Sequence, residues 1–178
     1  MQEKPRLEPT TEENWDEETR GIVTAGGRLN VFATLAHHPK LLKRWLVFAG
    51  HIMGQNSLSE REREIVILRT GWRCGSSYEF GQHTVIGRHA GLSDEEIRRL
   101  ASEEISDWES SEAELIAAVD ELLAEKCLGD ESWQALGARF STEQMMDFVF
   151  TVGQYAMLAM ALNSFGVQLE PGTPGFPD

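Results

Sequence analysis

Apolar residues recur every three or four positions along most of this chain, which is the spacing of amphipathic helices. Residues 40–53 show the pattern clearly, and Pro39 is well placed to open that helix. No run of four or more residues alternates between apolar and polar side chains as a half-buried strand would. The predicted helices span residues 12–24, 30–38, 40–53, 60–73, 77–89, a short stretch ending at 100, 112–125, 133–140 and 142–165. The fold is therefore predicted to be all-α.

Turn signals and length predict one folding unit with two irregular ends. At 178 residues the chain suits a single ordinary domain. Residues 1–11 contain two prolines and are predicted to form an extended N-terminal arm. Residues 12–166 are predicted to form a single all-helical domain. Residues 167–178, rich in Pro and Gly, are predicted to form an irregular C-terminal tail that can wrap around a neighbour.

The net charge, the cysteines and the apolar segments indicate which binding partners and which compartment to expect. The chain has 16 Lys and Arg against 29 Asp and Glu, a net charge of −13, which argues against nucleic-acid binding because phosphates need clustered cations. Cys74 and Cys127 are far apart and show neither metal-ligand nor disulfide spacing, which suits a reducing cytoplasm. The N-terminus lacks the apolar segment of a signal peptide, and no run approaches the roughly 20 apolar residues of a membrane span. We expect a cytoplasmic protein with no nucleic-acid or membrane partner.

Four residues able to hold or move a proton lie near one another. If residues 77–89 are helical, Glu79 and His83 stand at i and i+4 and share a face, with Tyr78 beside them. Glu64 lies on the apolar face of the preceding helix, where a charge must be paired or functional because an isolated buried charge is costly. An imidazole beside carboxylates is suited to general acid–base chemistry near neutral pH. Tyr78, Glu79, His83 and Glu64 are the predicted site.

Each signal also has a plainer structural explanation. Glu79 and His83 could simply form a helix-stabilising pair worth about 0.2–0.5 kcal/mol. Cys74 could be reactive if the following helix lowered its pKa, but no second cysteine stands nearby, so a buried bystander is the simpler alternative. Adjacent histidines such as His37 and His38 point in different directions on a helix and have no further ligands at suitable spacing. We therefore predict no metal site.

The motif around His83 resembles that of a known family. A Tyr-Glu-aromatic-x-x-His run, here Tyr78–His83, followed by Gly91-Leu92-Ser93 and preceded by Glu64, resembles the signature of the carboxymuconolactone decarboxylase family. The stretch Leu35–Leu41 is similar to that family as well, and the resemblance covers roughly residues 30–100. It implies an alkylhydroperoxidase D-like helical bundle, usually assembled as trimers or hexamers, with a pocket between helices.

The same resemblance separates two branches of the superfamily. The redox branch has the pattern Glu … Cys-x-x-Cys-x-x-x-His, with the two thiols forming a disulfide. Matched through His83, the cysteine positions are occupied by Ser76 and Glu79, and Cys74 lies two residues too early to substitute. Because a disulfide needs two thiols, the resemblance implies the non-redox branch.

In the decarboxylase branch the resemblance implies roles for all four residues. His83 would donate the proton, Glu64 would orient its imidazole or relay the proton, Tyr78 would help bind substrate oxygens, and Glu79 would tune His83 or bond across an interface. The reaction loses carbon dioxide through a dienolate-like intermediate and needs no cofactor, since a lactone carbonyl delocalises the charge. A cation for the substrate carboxylate would come from an arginine, for which the candidates are Arg69, Arg73 and Arg88.

We therefore expect a cofactor-free lyase that acts on a small lactone or organic acid by His-centred acid–base catalysis. Two alternatives stay open: a thiol antioxidant that uses Cys74, and a non-catalytic helical oligomer that binds a ligand. Apolar helices such as residues 145–162 offer more hydrophobic surface than a monomer covers, so a homo-oligomer is expected, as a trimer, hexamer or dimer.

Overall fold

The computed structural model describes residues 4–105 and 107–177, and this part of the chain contains helices and no strands. A short 3-10 turn at Glu12–Asn14 precedes the α-helices. In chain order these are α1 (Glu17–Ala25), α2 (Asn30–Leu35), α3 (Pro39–Gly54), α4 (Glu60–Arg73), α5 (Ser77–His89), α6 (Asp94–Leu100), α7 (Ser110–Glu125), α8 (Asp130–Gly137) and α9 (Thr142–Phe165). The predicted all-α class is confirmed.

Helix α4 forms the centre of the bundle and packs against α5, α7 and α9. Residues 63–71 are all buried, including charged ones. The helix begins with a capping box, in which Ser59 Oγ accepts from the Glu62 backbone N–H at 3.2 Å and the Glu62 carboxylate accepts from the Ser59 N–H at 3.1 Å. Arg69 is fully buried, and its Nε donates to Asp120 of α7 at 2.7 Å. The ion pair compensates the buried charge and ties α4 to α7.

Three residues join α4 to α5 and bring the two helices into close contact. Gly75 in this turn has a φ of +63°, a left-handed conformation that favours glycine. Farther along, a Cβ at Gly87 would lie 3.1 Å from Leu92 Cδ1 and 3.2 Å from Leu68 Cδ1. The absence of a side chain there lets α5 lie close to α4, which sets the geometry of the site.

Helix α9 has 24 residues and is long and apolar enough, by length and composition, to cross a membrane. The sequence-based expectation that no segment reaches such a length is therefore wrong. Half of its most apolar window is buried inside the protein, as in the core helix of a globular bundle. Phe148, Val152 and Ala159 supply part of that buried face.

The predicted helix bounds differ from the structure near the N-terminus and at α8, which spans Asp130–Gly137 where residues 133–140 were expected. The helix expected over residues 12–24 is interrupted, because Asp16 adopts an extended conformation and its carboxylate accepts from the Thr19 N–H at 2.7 Å. Asp16 thus caps a new helix, α1. The helix expected over 30–38 ends at Leu35, and His38 caps α3 instead, with Nδ1 accepting from Leu41 N at 3.3 Å.

Both ends of the described chain pack on its own helices. Residues 1–3 of the predicted arm and residue 178 of the predicted tail lie outside the described residues. In the arm, the Arg6 and Leu7 N–H groups donate to Phe165 O at 2.8 and 3.1 Å. In the tail, the Phe176 ring lies 5.3 Å from the Phe80 ring of α5. The tail therefore contacts its own α5.

Candidate active site

His83 and Glu64 form a buried pair between α5 and α4. His83 Nδ1 lies 2.7 Å from Glu64 Oε2, and the two residues are 7% and 0% exposed. The second carboxylate oxygen accepts from Arg63 Nε at 3.0 Å. Because a carboxylate only accepts hydrogen bonds, Nδ1 carries the proton and Nε2 of a neutral ring has a free lone pair. In the described part of the chain nothing bonds Nε2, so it is available to a bound molecule.

A mainly apolar cavity of about 330 Å³ opens beside His83. Helices α3, α5 and α9 supply most of its wall, and α2 with the loop before it supplies the rest. The lining residues are Leu29, Val31, Phe32, Trp45, Leu46, Ala49, Gly50, Ile52, Met53, Tyr78, Glu79, Gln82, His83, Ile86, Gln154, Tyr155, Leu158 and Leu162. The volume suits a small organic molecule, and the apolar wall limits the access of water.

Tyr155 of α9 packs against the His83 imidazole. Its ring stands edge-on to the His83 ring, with centroids 4.9 Å apart and an interplanar angle of 89°. The Tyr155 hydroxyl donates to Met53 Sδ at 3.1 Å. Burial raises the pKa of Tyr155 well above its ordinary value, and the nearby carboxyls of Glu64 and Glu79 raise it further. Tyr155 is therefore a neutral phenol that packs on the imidazole.

Glu79 lines the cavity but does not bond His83. It is 2% exposed, and neither carboxyl oxygen has a hydrogen-bond partner in the described residues. Burial raises its pKa well above the ordinary value of 4.5, and because no cation of the described residues bonds the carboxyl, the neutral acid form is favoured. The helix-stabilising pair that the i, i+4 spacing suggested is not formed, because Glu64 takes the place of Glu79 as the partner of His83.

Tyr78 has its ring in the cavity wall and its hydroxyl in a junction with the tail. The hydroxyl accepts from the Val31 N–H at 3.1 Å and donates to Glu170 Oε1 at 2.8 Å. The Gln82 side chain donates to the other oxygen of Glu170, and Asn30 N donates to Oε1 at 2.6 Å. Burial raises the pKa of Tyr78, and the Glu170 carboxylate adds to the effect. Both hydrogen bonds of the hydroxyl are thus made within the protein, to Val31 and Glu170.

The arginines that were candidates for binding a substrate carboxylate lie elsewhere. Arg69 and Arg73 both pair with Asp120, and Arg88 pairs with Asp94. No Lys or Arg of the described residues lines the cavity. A carboxylate in this cavity would therefore be poorly solvated and would depend on neutral hydrogen-bond donors.

The thiols and the adjacent histidines lie outside the cavity. Burial raises the pKa of Cys74, as does the nearby Glu79 carboxyl, which disfavours the reactive thiolate that the antioxidant alternative requires. Cys127 is exposed and does not line the cavity. His37 Nε2 bonds Glu8 O at 2.9 Å, and His38 caps α3. The described residues contain no cluster of three His, Cys, Asp or Glu arranged to hold a metal.

Among the cavity residues that the predicted site does not include are Tyr155, Trp45 and Gln154. Tyr155 and Gln154 lie in a long apolar helix, and a polar pair at such a position is the only local signal that could have identified them. The helical spacing of Trp45 predicts a core residue, yet its Nε1 is buried without a partner in the described residues and it lines the cavity. These residues reach the site only through packing between distant segments.

Comparison with known proteins identifies a family for part of the chain. The model of the carboxymuconolactone decarboxylase family matches residues 39–121, from the start of α3 into α7. Among curated proteins, none matches the chain.

Solved structures share the fold over almost the whole chain. An uncharacterized peroxidase-related protein from Ralstonia eutropha, with an alkylhydroperoxidase AhpD core, has a TM-score of 0.84 at 16% identity and covers 96% of this chain and 95% of its own. A second, from Silicibacter, has a TM-score of 0.82 at 14% identity and covers 97% of each chain. The debrominase Bmp8, solved with 2,3,4-tribromopyrrole, has a TM-score of 0.78 at 14% identity and covers 96% of this chain and 95% of its own. Residues 39–121 thus match the carboxymuconolactone decarboxylase family, and the chain has the alkylhydroperoxidase D-like helical fold.

Proposed function

We propose that this protein is a cofactor-free lyase of the carboxymuconolactone decarboxylase type, which acts on a small lactone or organic acid by acid–base catalysis at His83. The observation that carries the proposal is the buried His83–Glu64 pair, 2.7 Å between Nδ1 and Oε2, beside an apolar cavity. An imidazole held in this way can give or take a proton at Nε2, and the carboxylate stabilises the imidazolium form.

The proposed reaction begins when the C–C bond to the substrate carboxylate breaks. Carbon dioxide leaves, and the electron pair moves into the lactone carbonyl as a dienolate. The imidazolium form of His83, with a proton on each ring nitrogen, then donates its Nε2 proton to carbon. The lactone carbonyl re-forms, and Nε2 of the resulting neutral imidazole takes up a new proton from solvent. Glu64 acts as a positioning residue that fixes the ring and its tautomer.

The apolar cavity favours loss of carbon dioxide, although it does not bind a carboxylate tightly. A carboxylate next to an arginine would be stabilised before the reaction, whereas here no Arg or Lys of the described residues lines the wall. When carbon dioxide leaves, the charge of a poorly solvated carboxylate spreads over the dienolate, so an apolar site favours that step. The ligand of the debrominase relative, a tribromopyrrole, is likewise a small ring compound.

The proposal includes a homo-oligomer in the cytoplasm, as a trimer, hexamer or dimer. Support comes from large apolar side chains that are half or more exposed on α9 and α3, namely Met146, Phe150, Met157, Met160, Leu41 and Val47. Exposed apolar clusters of this kind mark interaction surfaces. The two free cysteines suit a reducing compartment. A monodisperse monomer in light scattering would contradict the oligomer.

The test is release of carbon dioxide from 4-carboxymuconolactone by the wild type, His83→Ala and a matched control. His51→Ala is that control, because His51 Nε2 pairs with Asp147 at 2.8 Å but lies outside the cavity. We expect His83→Ala to lower turnover by about 10²–10⁴-fold, the usual cost of losing a general acid, and His51→Ala to leave it unchanged. A His83→Ala variant with more than about a tenth of the wild-type rate would refute the proposed role.

A further inference from the structure

Glu79 is a buried acid that faces the cavity with nothing in the described chain bonded to its carboxyl. It lies on α5 one turn before His83, is 2% exposed, and has both carboxyl oxygens unpartnered among the described residues. A Cβ added at Gly71 of α4 would lie 3.1 Å from Glu79 Oε1, so α4 leaves room for the carboxyl by having no side chain there. Two helices thus hold this group at the cavity wall.

No cation of the described residues compensates Glu79. The titratable groups around it are Cys74 at the end of α4, Tyr78 and His83 on α5, Tyr155 on α9, and the Glu64–Arg63 pair on α4. None of them bonds its carboxyl. The Arg63 guanidinium donates to Glu64 and to Met53 O instead. Since a buried carboxylate without a cation is costly, the acid form prevails, and it carries one O–H donor.

Two further buried polar atoms of the cavity wall lack partners in the described residues: Trp45 Nε1, a donor, and Gln154 Oε1, an acceptor. Buried polar atoms without partners are rare in folded proteins, and each needs an explanation. In a cavity of this size, a bound molecule that supplies the missing partners is a sufficient one.

We propose that the Glu79 carboxyl, in its neutral form, donates a hydrogen bond to the carbonyl oxygen of a small lactone bound in the cavity. This deepens the proposed function and rests on it in one respect: negative charge must develop on that oxygen during the reaction. As the C–C bond breaks, the electron pair moves onto the carbonyl oxygen, and it returns to carbon when His83 delivers its proton. A donor placed where charge develops can contribute about 10²–10³-fold in rate.

The neutral state makes the inference testable by substitution. Glu79→Gln keeps a donor of the same length, so it should retain lactone binding, whereas Glu79→Leu has similar bulk and no donor. An ionised Glu79 acting as a base would behave differently, because glutamine could not replace it. Glu121→Leu is the control, since Glu121 also has a buried carboxyl oxygen without a partner in the described residues but lies on α7, outside the cavity.

The experiment measures the binding of coumarin, an uncharged lactone whose carbonyl carbon is labelled with ¹³C. Calorimetry gives its Kd for the wild type and the three variants, and infrared difference spectroscopy gives its carbonyl stretch when bound. We expect the stretch to shift to lower frequency in the wild type, Glu79→Gln and Glu121→Leu, and not in Glu79→Leu. We expect Glu79→Leu to bind coumarin about tenfold more weakly, the cost of one unmade hydrogen bond at a buried site.

The wild type alone supplies a second readout that requires no substitution at Glu79: the carbonyl band of a protonated carboxylic acid near pH 7. Absence of that band, failure of the wild type to bind coumarin, or equal carbonyl shifts in wild type and Glu79→Leu would each overturn the inference. The experiments also distinguish failure of this inference from failure of the proposed reaction. Coumarin binding that depends on Glu79, together with no turnover of 4-carboxymuconolactone, would contradict only the reaction. Turnover that depends on His83 together with unaltered coumarin binding in Glu79→Leu would contradict only the role of Glu79.

Discussion

Replacing Glu64 by Gln tests whether the buried carboxylate organises the site. The carboxylate makes two bonds, to His83 Nδ1 at 2.7 Å and to Arg63 Nε at 3.0 Å, and Glu64 is fully buried. Glutamine keeps one acceptor oxygen and places an amino group against a second donor. Losing one charge-assisted bond, with an unmatched guanidinium left behind, should lower the free energy of unfolding by about 2–4 kcal/mol.

The same substitution should also lower turnover, because the ring is no longer held with Nε2 toward the cavity. Misplacement by about 1 Å can cost 10²-fold, and we expect a loss of about that size. Urea denaturation measures the stability, with an unchanged m-value indicating that the unfolded state is unaffected. Turnover is measured at a temperature where the variant remains folded.

Asp147→Asn is the matched control for Glu64→Gln. Asp147 also holds a histidine, His51, at 2.8 Å, but this pair lies outside the cavity. Because the His51 side chain of this pair is 42% exposed, the control should cost about 1 kcal/mol or less. It should leave turnover unchanged. Equal effects of the two substitutions on both stability and turnover would refute the reasoning.

Three further predictions concern the rest of the molecule. The bonds from Arg61 lower the pKa of Glu96 from 4.5 to about 2, so the stability that this carboxylate contributes above pH 4.5 should be lost as the pH falls toward 2. In acid denaturation, Glu96→Gln should remove about 1–2 kcal/mol of this pH-dependent free energy of unfolding. Gly81→Ala should place a Cβ against the carbonyl of Pro174 and lower the thermal midpoint, at a cost of about 1–3 kcal/mol. Cys74, whose pKa is raised by burial, should react slowly with iodoacetamide in the native protein near pH 7.

Each of these has a control on the same chain. Glu95→Gln affects only an exposed pair with Arg98 and should leave the acid slope unchanged. Gly21→Ala, in an open helical position, should stabilise the protein slightly instead of destabilising it. Cys127 is exposed and should be alkylated first. An unaltered acid slope in Glu96→Gln, a raised midpoint in Gly81→Ala, or faster labelling at Cys74 would count against the respective argument.

Local signals in the sequence were enough to predict most helices. Ser59 and Ser93 start helices with capping boxes, and both boxes form as their spacing predicts. The break before α1 was missed because acidic residues favour a helix start at both Glu12 and Glu17. Only the conformation of Asp16 distinguishes the two.

The site was predictable only where its residues are close in sequence or lie on a recognisable face. The burial of Glu64 followed from its place on the apolar face of α4, and its bond to His83 follows from the tight turn at Gly75. Sequence spacing could not decide between Glu64 and Glu79 as the partner of His83. It also could not place Tyr155, which reaches the imidazole from α9, or Glu170, which takes the hydroxyl of Tyr78.

The central claim is that His83 delivers a proton to carbon inside the cavity. The direct measurement is deuterium incorporation into the product when 4-carboxymuconolactone is turned over in D₂O, followed by mass spectrometry for the wild type, His83→Ala and His51→Ala. The account predicts one deuterium at a single carbon. The labelled product should form at equal rates with the wild type and His51→Ala, and about 10²–10⁴-fold more slowly with His83→Ala. Labelled product formed by His83→Ala as fast as by the wild type would contradict it.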